Sequence, residues 1–184
     1  VLSAVWGVNG PVGKFANVPS SEIYGAELEG TWRPVPNLRI TQSISYKHGE
    51  YTDFFDLDVA ASRLANAAVF VDKSGVEIPF PAVSYGGSAA YDWLLQGLDV
   101  TGEVNYSFRD EYPSWLGVKY DVPSYWLVNA SVMVSPQAGP WSATLFVRNL
   151  FDQEYDLTRN FFTTADIAQP GRPRTFGIRL SYQY

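Results

Sequence analysis

The sequence predicts an all-β protein, an antiparallel transmembrane β-barrel wall of about eight strands. Three observations predict it. From Phe176 onward the chain alternates without a fault, with Phe176, Ile178, Leu180, Tyr182 and Tyr184 on one face and Gly177, Arg179, Ser181 and Gln183 on the other. A period of two is the mark of a strand, and here one side wants hydrocarbon while the other wants water. Second, short and long connections alternate along the chain, so every long loop falls at one end of the sheet, as in outer-membrane barrels. Third, six Trp, twelve Tyr and eleven Phe stand among 184 residues, and they gather near strand ends, where interfacial girdles lie.

Taken in order, residues 1–10 read as a weak strand with Leu2, Ala4, Trp6 and Val8 on one face, broken by Asn9-Gly10-Pro11. Glu22 to Arg33 is clearer: Tyr24, Ala26, Leu28, Gly30 and Trp32 oppose Glu27, Glu29, Thr31 and Arg33. After the Arg33-Pro34-Val35-Pro36-Asn37 turn, Leu38, Ile40, Ile44 and Tyr46 share a face that Gln42 interrupts. Tyr51 to about Ile78 has no sustained period and reads as a long loop, with an Ala-rich stretch, Val59 to Val71, suited to a short helix. A strand resumes at Phe80 and runs through Trp93. Gln96-Gly97 turns it into Leu98 to Arg109, whose apolar residues oppose Asp99, Thr101, Glu103, Asn105, Ser107 and Arg109. A loop from Glu111 to Val122 precedes Trp126 to Val134. Residues Pro136 to Pro140 turn the chain into Trp141 to Arg148, and a loop from Asp152 to Gly171 leads to the last strand. Trp32, Trp93 and Trp141 adjoin the short turns, whereas Trp126, Tyr46 and Phe108 lie toward the other ends, as two belts require.

Composition narrows the function classes. No apolar run approaches the roughly 20 residues of a membrane-spanning helix. A net charge of -6 argues against a nucleic-acid partner, because phosphate needs a basic face. The absence of Cys leaves no disulfide, thiol nucleophile or thiolate metal site. The chain opens with Val1 and no leader pattern, which points to a processed product or a piece of something longer. A soluble sandwich or lipocalin-like barrel would alternate too, but its polar faces usually carry denser charge and aromatic belts would serve nothing there. In a bilayer the sheet must close, since an open edge leaves backbone groups unpaired in hydrocarbon. Closure leaves two readings open, a small barrel of its own or one wall of a larger barrel.

Asn149-Leu150-Phe151-Asp152-Gln153-Glu154-Tyr155, followed by Pro170-Gly171-Arg172-Pro173-Arg174-Thr175-Phe176-Gly177 and a terminal aromatic strand, resembles the C-terminal end of TonB-dependent outer-membrane receptors. Glu22-Ile23-Tyr24-Gly25-Ala26-Glu27-Leu28-Glu29-Gly30 looks like a strand from the second half of the same barrel. The resemblance implies a 22-stranded barrel of the Gram-negative outer membrane, of which this chain is the C-terminal portion, without the N-terminal plug domain or its TonB-contacting box. It also implies energy-coupled import of a large extracellular ligand, an iron–siderophore complex being the leading class, with haem, cobalamin and sugars behind it. Implied partners are outer-membrane lipid, the plug and remaining strands, TonB through the missing N-terminal part, and the barrel assembly machinery, which would read Phe176, Tyr182 and Tyr184. The final Tyr184 departs from the commoner Phe. The alternative is a self-contained small outer-membrane barrel serving as structural protein, adhesin or enzyme, with residues 1–10 paired to 174–184.

In the barrel reading Glu27, Glu29, Arg39, Lys47, Glu103, Arg109, Arg148 and Arg179 face the lumen, where they pair across strands or hold a plug; a merely wetted wall is the plainer reading. Arg148 and Arg179 lie on strands adjacent in sequence order and call for an acidic partner. Tyr51, Phe54, Phe55, Tyr112, Trp115, Arg159, Phe161 and Phe162 on the long loops combine aromatic surface with charge, which suits a large amphipathic ligand; packing within the loops is the competing role. Asp152, Glu154 and Asp156 share a face and are placed to answer Arg159, Arg172 and Arg174, and Pro170-Gly171 reads as a structural turn. Asp53, Asp56 and Asp58 lack the Gly and terminal Glu of a calcium loop, so no metal or cofactor is expected. His48 has no Ser-rich signature or paired acid beside it, so no catalytic residue is expected either.

Overall fold

The computed structural model describes residues 2–15, 17, 20–115, 118–162 and 165–183, with their side chains except at 2–3, 13–15, 115, 118–120, 160–162 and 165–166. In chain order the elements are β1 Leu2–Gly7, β2 Gly10–Phe15, β3 Ser20–Val35, β4 Leu38–Asp53, β5 Phe55–Leu57, α1 Val59–Ala65, β6 Phe70–Asp72, β7 Val83–Leu95 and β8 Leu98–Arg109. There follow β9 Tyr112–Trp115, β10 Val118–Val122, β11 Tyr125–Pro136, β12 Trp141–Arg148, β13 Asp156–Phe162, β14 Ala165–Pro170 and β15 Thr175–Tyr182.

Seven strands form one antiparallel sheet in the order β15-β12-β11-β8-β7-β4-β3, each beside its neighbour in the meander. Both edges are open among the described residues, so the sheet is a curtain and not a closed barrel. The expected strand at residues 1–10 does not join it. Gly10, at φ +112, turns the chain where other residues would be strained, and β1 pairs back onto β2 with Gly7 opposite Gly10. That replaces both the eighth wall strand and the pairing of residues 1–10 with 174–184.

The three short connections lie at one end. Gln96 and Gly97, at φ 50 and 83, make a two-residue turn whose twist matches that of its strands. The long connections, expected to be irregular, carry hairpins of their own: β5-β6, β9-β10 and β13-β14. Three-residue strands such as Phe55–Leu57 and Phe70–Asp72 are too short to display a period. The helix is also shorter than expected. Asp58 caps its start, accepting from the Ala61 N–H at 2.9 Å, and Asn66 stops it in the left-handed conformation.

Register fixes the two faces. Trp141, Ala143, Leu145 and Val147 stand opposite Tyr182, Leu180, Ile178 and Phe176, and β11 continues the apolar rows with Val134, Val132 and Ala130. Among the described residues this outer face is largely exposed, Leu28 at 71%, Ile178 at 67% and Leu180 at 77%. Gln42 also points outward, and the sheet accommodates it. Its amide lies across Gly87, where a Cβ would sit 2.5 Å from Nε2, and the Tyr106 hydroxyl donates to its Oε1. The sheet is a single layer, so the small cluster of buried apolar groups lies in the loops, where Tyr51 and Phe54 pack with Val76 and Ile78. No helix among the described residues is long and apolar enough to cross a membrane, which says nothing about strands.

Candidate functional site: the inner wall and the loops above it

The second face of the sheet is polar because the same period of two that exposes Ile178 outward turns Arg179 inward. Across five strands one row runs Glu27, Ser45, Ser84, Arg109, Tyr125, and the next Glu29, Ser43, Gly86, Ser107, Leu127. Below them come Thr31, Thr41, Ser88, Asn105 and Asn129. Neighbours in these rows are hydrogen-bonded: the Ser45 hydroxyl donates to Glu27 at 3.2 Å, Ser43 donates to the Gly86 carbonyl at 3.3 Å, and the Thr41 and Ser88 hydroxyls bond each other at 2.7 Å. Lys47 pairs with Glu27 at 3.0 Å, both side chains at least half exposed, so solvent screens the pair and it adds little to stability.

The expected inward charges fall on this face, but most do not pair with one another. Glu29, Arg39, Glu103 and Arg179 form no ion pair with any described residue. Arg109 lies over the Tyr125 ring, 5.8 Å from its centroid, and Arg148 over Phe146 at 5.4 Å. β12 and β15 are neighbours as their order implies, yet Arg148 faces Thr175 at one end of the ladder and Arg179 faces Thr144 in its middle, so the two do not stand side by side. On the outer face of β15, Phe176 and Tyr182 are exposed, each beside an apolar partner on β12; Tyr184 lies outside the described residues.

The loop residues divide. Tyr51 and Phe54 are buried, 4% and 3% exposed, and hold their loop together. Phe55 is 61% exposed, and Phe70, which sequence reading did not single out, is 63% exposed on the same face of the β5-β6 hairpin. The signal for Phe70 would have been the hairpin itself. Inside this loop Asp56 is buried, pairs with Lys73 at 3.2 Å and accepts from the Leu57 N–H at 2.8 Å, while Asp58 is spent on capping. No group of metal-binding side chains forms among the described residues. Arg159 acts as a clasp: it pairs with Asp156 at 2.7 Å and donates to the Asp121 carbonyl at 3.3 Å, while the Tyr112 hydroxyl donates to the Leu157 carbonyl. These bonds join the β9-β10 and β13-β14 hairpins. The side chains of Trp115, Phe161 and Phe162 lie outside the described residues. His48 rests against Tyr24, ring centroids 5.1 Å apart, at the outer end of its strand.

At the base of the last loop, Asn149 adopts φ 51 and is 4% exposed. Its amide donates to the carbonyls of Gln153 and Arg172 at 2.9 and 3.1 Å, its Oδ1 accepts from the Gln153 N–H, and its own N–H donates to Asn129 Oδ1. Asp152 accepts from the Arg174 N–H at 2.8 Å, and the Tyr155 ring covers Gly171; Pro170, expected with Gly171 to form a turn, is instead the last residue of β14. A Gly is needed there because a Cβ would meet the ring at 2.0 Å.

Comparison with known proteins adds to this geometry. Residues 2–150 match the family model described as TonB dependent receptor-like, beta-barrel. No curated protein matches the chain. Among solved structures, the ferric yersiniabactin uptake receptor FyuA from Yersinia pestis superposes with a TM-score of 0.73 at 19% identity, over 89% of this chain and 24% of that one. The ferripyoverdine receptor of the outer membrane of Pseudomonas aeruginosa gives 0.59 at 18% identity, over 88% of this chain and 19% of its own. The chain therefore spans less than a quarter of either receptor, and at these identities the likeness is one of fold.

Proposed function

The chain belongs to the TonB-dependent receptor-like β-barrel family, and from that premise we propose that it is the C-terminal wall of an outer-membrane receptor that imports a ferric siderophore with energy from TonB. The observation that carries the reading is the one-layered sheet itself. Its outer side is largely exposed hydrocarbon from β3 to β15, its inner side carries most of its hydroxyls and charges, and among the described residues its two edges are unpaired. A bilayer satisfies the first and an aqueous lumen the second; only further strands of the same barrel satisfy the third.

The remaining roles follow from placement. Ligand is met by the outer loops, with Phe55, Tyr112, Trp115, Arg159, Phe161 and Phe162 as the contact set and Tyr51 and Phe54 as its support. Glu27, Glu29, Arg39, Glu103, Arg109, Arg148 and Arg179 face the lumen, and those without partners on the sheet await a plug. Phe176, Tyr182 and Tyr184 form the strand that the assembly machinery reads. That the two solved receptors it resembles are named for ferric yersiniabactin and ferripyoverdine supports the choice of ligand class.

The test is uptake. Cells lacking the complete gene should lose import of 55Fe from one member of a panel of ferric siderophores and regain it on complementation. Unchanged import across the whole panel would overturn the siderophore assignment.

A further inference from the structure

The inner wall is not uniform. On β4 and β7 the inward positions pair as Ser45 with Ser84, Ser43 with Gly86 and Thr41 with Ser88, three successive rows with nothing larger than threonine, before Arg39 stands beside Ala90 in the next. Two concavities, of about 400 and 430 Å³, lie along these strands and share Glu29, Ser43 and Gly86, which makes them one continuous trough. Its flanks are polar, with Glu29 on β3 and Ser107 and Asn105 on β8. Across β11, β12 and β15 the same face carries hydroxyls too, Ser131, Ser142 and Thr144 among them, but Met133 and Phe146 also point inward there and the Phe146 ring fills the space above Gly177; Leu127 instead borders the trough.

Inward apolar groups of that size are costly to leave in water, whereas a floor of hydroxyls is not. Resting on the transport reading, we propose that the β4-β7 trough is a water-filled lane for a polar, hydrogen-bonding solute, and that the wall around Met133 and Phe146 is where a protein element sits inside the barrel. The hydroxyls bond one another across the strands, as Thr41 does with Ser88, so they offer exchangeable partners to a passing ligand without holding it. Both mouths carry both signs, Arg109 with Glu27 at the loop end and Glu103 with Arg39 toward the turn end, so either charge on a solute meets an opposite one at each.

The experiment places single cysteines at Ser43, Ser88 and Thr144 of the complete receptor, made otherwise cysteine-free, and measures their reaction with a cationic methanethiosulfonate reagent. Thr144, between Met133 and Arg179, represents the bulkier wall. Because the rate follows access to the thiolate, Ser43→Cys and Ser88→Cys should react about tenfold faster than Thr144→Cys in the folded, membrane-inserted protein. Equal or slower reaction in the trough overturns the lane. If such variants still import iron, the transport reading survives that failure; fast trough cysteines in a receptor that imports no ligand would leave the lane standing and remove the transport reading instead.

Discussion

At the level of single residues, Asn149 shows why a motif can be visible while its purpose is not. The string Asn149-Leu150-Phe151-Asp152 is plain in the sequence, but its partners Asn129, Gln153 and Arg172 meet only once β11, β12 and β15 have paired. Replacing it by Ala leaves several buried backbone groups without partners and forces a non-glycine residue without its amide into the left-handed region. Asn149→Ala should therefore lower unfolding stability by about 2–4 kcal/mol in urea titrations of the full receptor in lipid. A neutral result would remove the knot from the account. Gly171→Ala should be harmful for a different reason, since its Cβ would enter the Tyr155 ring. In the double variant with Tyr155→Ala the losses should fall short of additive, and strict additivity would mean the ring and the glycine do not share that space.

At the level of elements, sequence and structure agree where a strand is long enough for its period to show. β3, β8, β11, β12 and β15 stand within a few residues of where alternation places them. The small hairpins above the sheet were not legible, because strands of three to seven residues fixed by cross-strand pairing leave no periodic trace. The same limit explains the loop residues: Tyr51, Phe54, Phe55 and Phe70 look alike in sequence, and only the fold of the loop separates two that are buried from two that are exposed. The orientation of β15 makes a graded prediction. Ile178→Arg should cost about 2–4 kcal/mol in equilibrium folding into bilayers, whereas Tyr182→Arg, at the aromatic belt beside Trp141, should cost about 0–1 kcal/mol. Equal costs would mean the face does not cross hydrocarbon. Above the sheet, Arg159→Ala should loosen the β13-β14 hairpin from β9-β10, read as faster amide exchange in both hairpins with the sheet unchanged; exchange that rises in neither contradicts the clasp.

For the molecule as a whole, what fixes the account is that one sheet has two incompatible faces and, among the described residues, no second layer. An apolar side with Leu180 and Leu28 open to the surroundings and a polar side lined by serines can coexist only at a boundary between oil and water. That the bulky inward groups Met133 and Phe146 gather on β11 and β12, away from the small residues of β4 and β7, was also beyond the sequence, because it depends on which strands are neighbours. The most direct test is spectroscopic. Spin labels placed singly at 178, 179, 180 and 181 of the complete receptor in bilayers should alternate, with 178 and 180 open to dissolved oxygen and closed to a water-soluble nickel chelate, and 179 and 181 the reverse. Labels that meet the nickel chelate equally at all four positions would show that both faces see water, and the membrane wall would be contradicted.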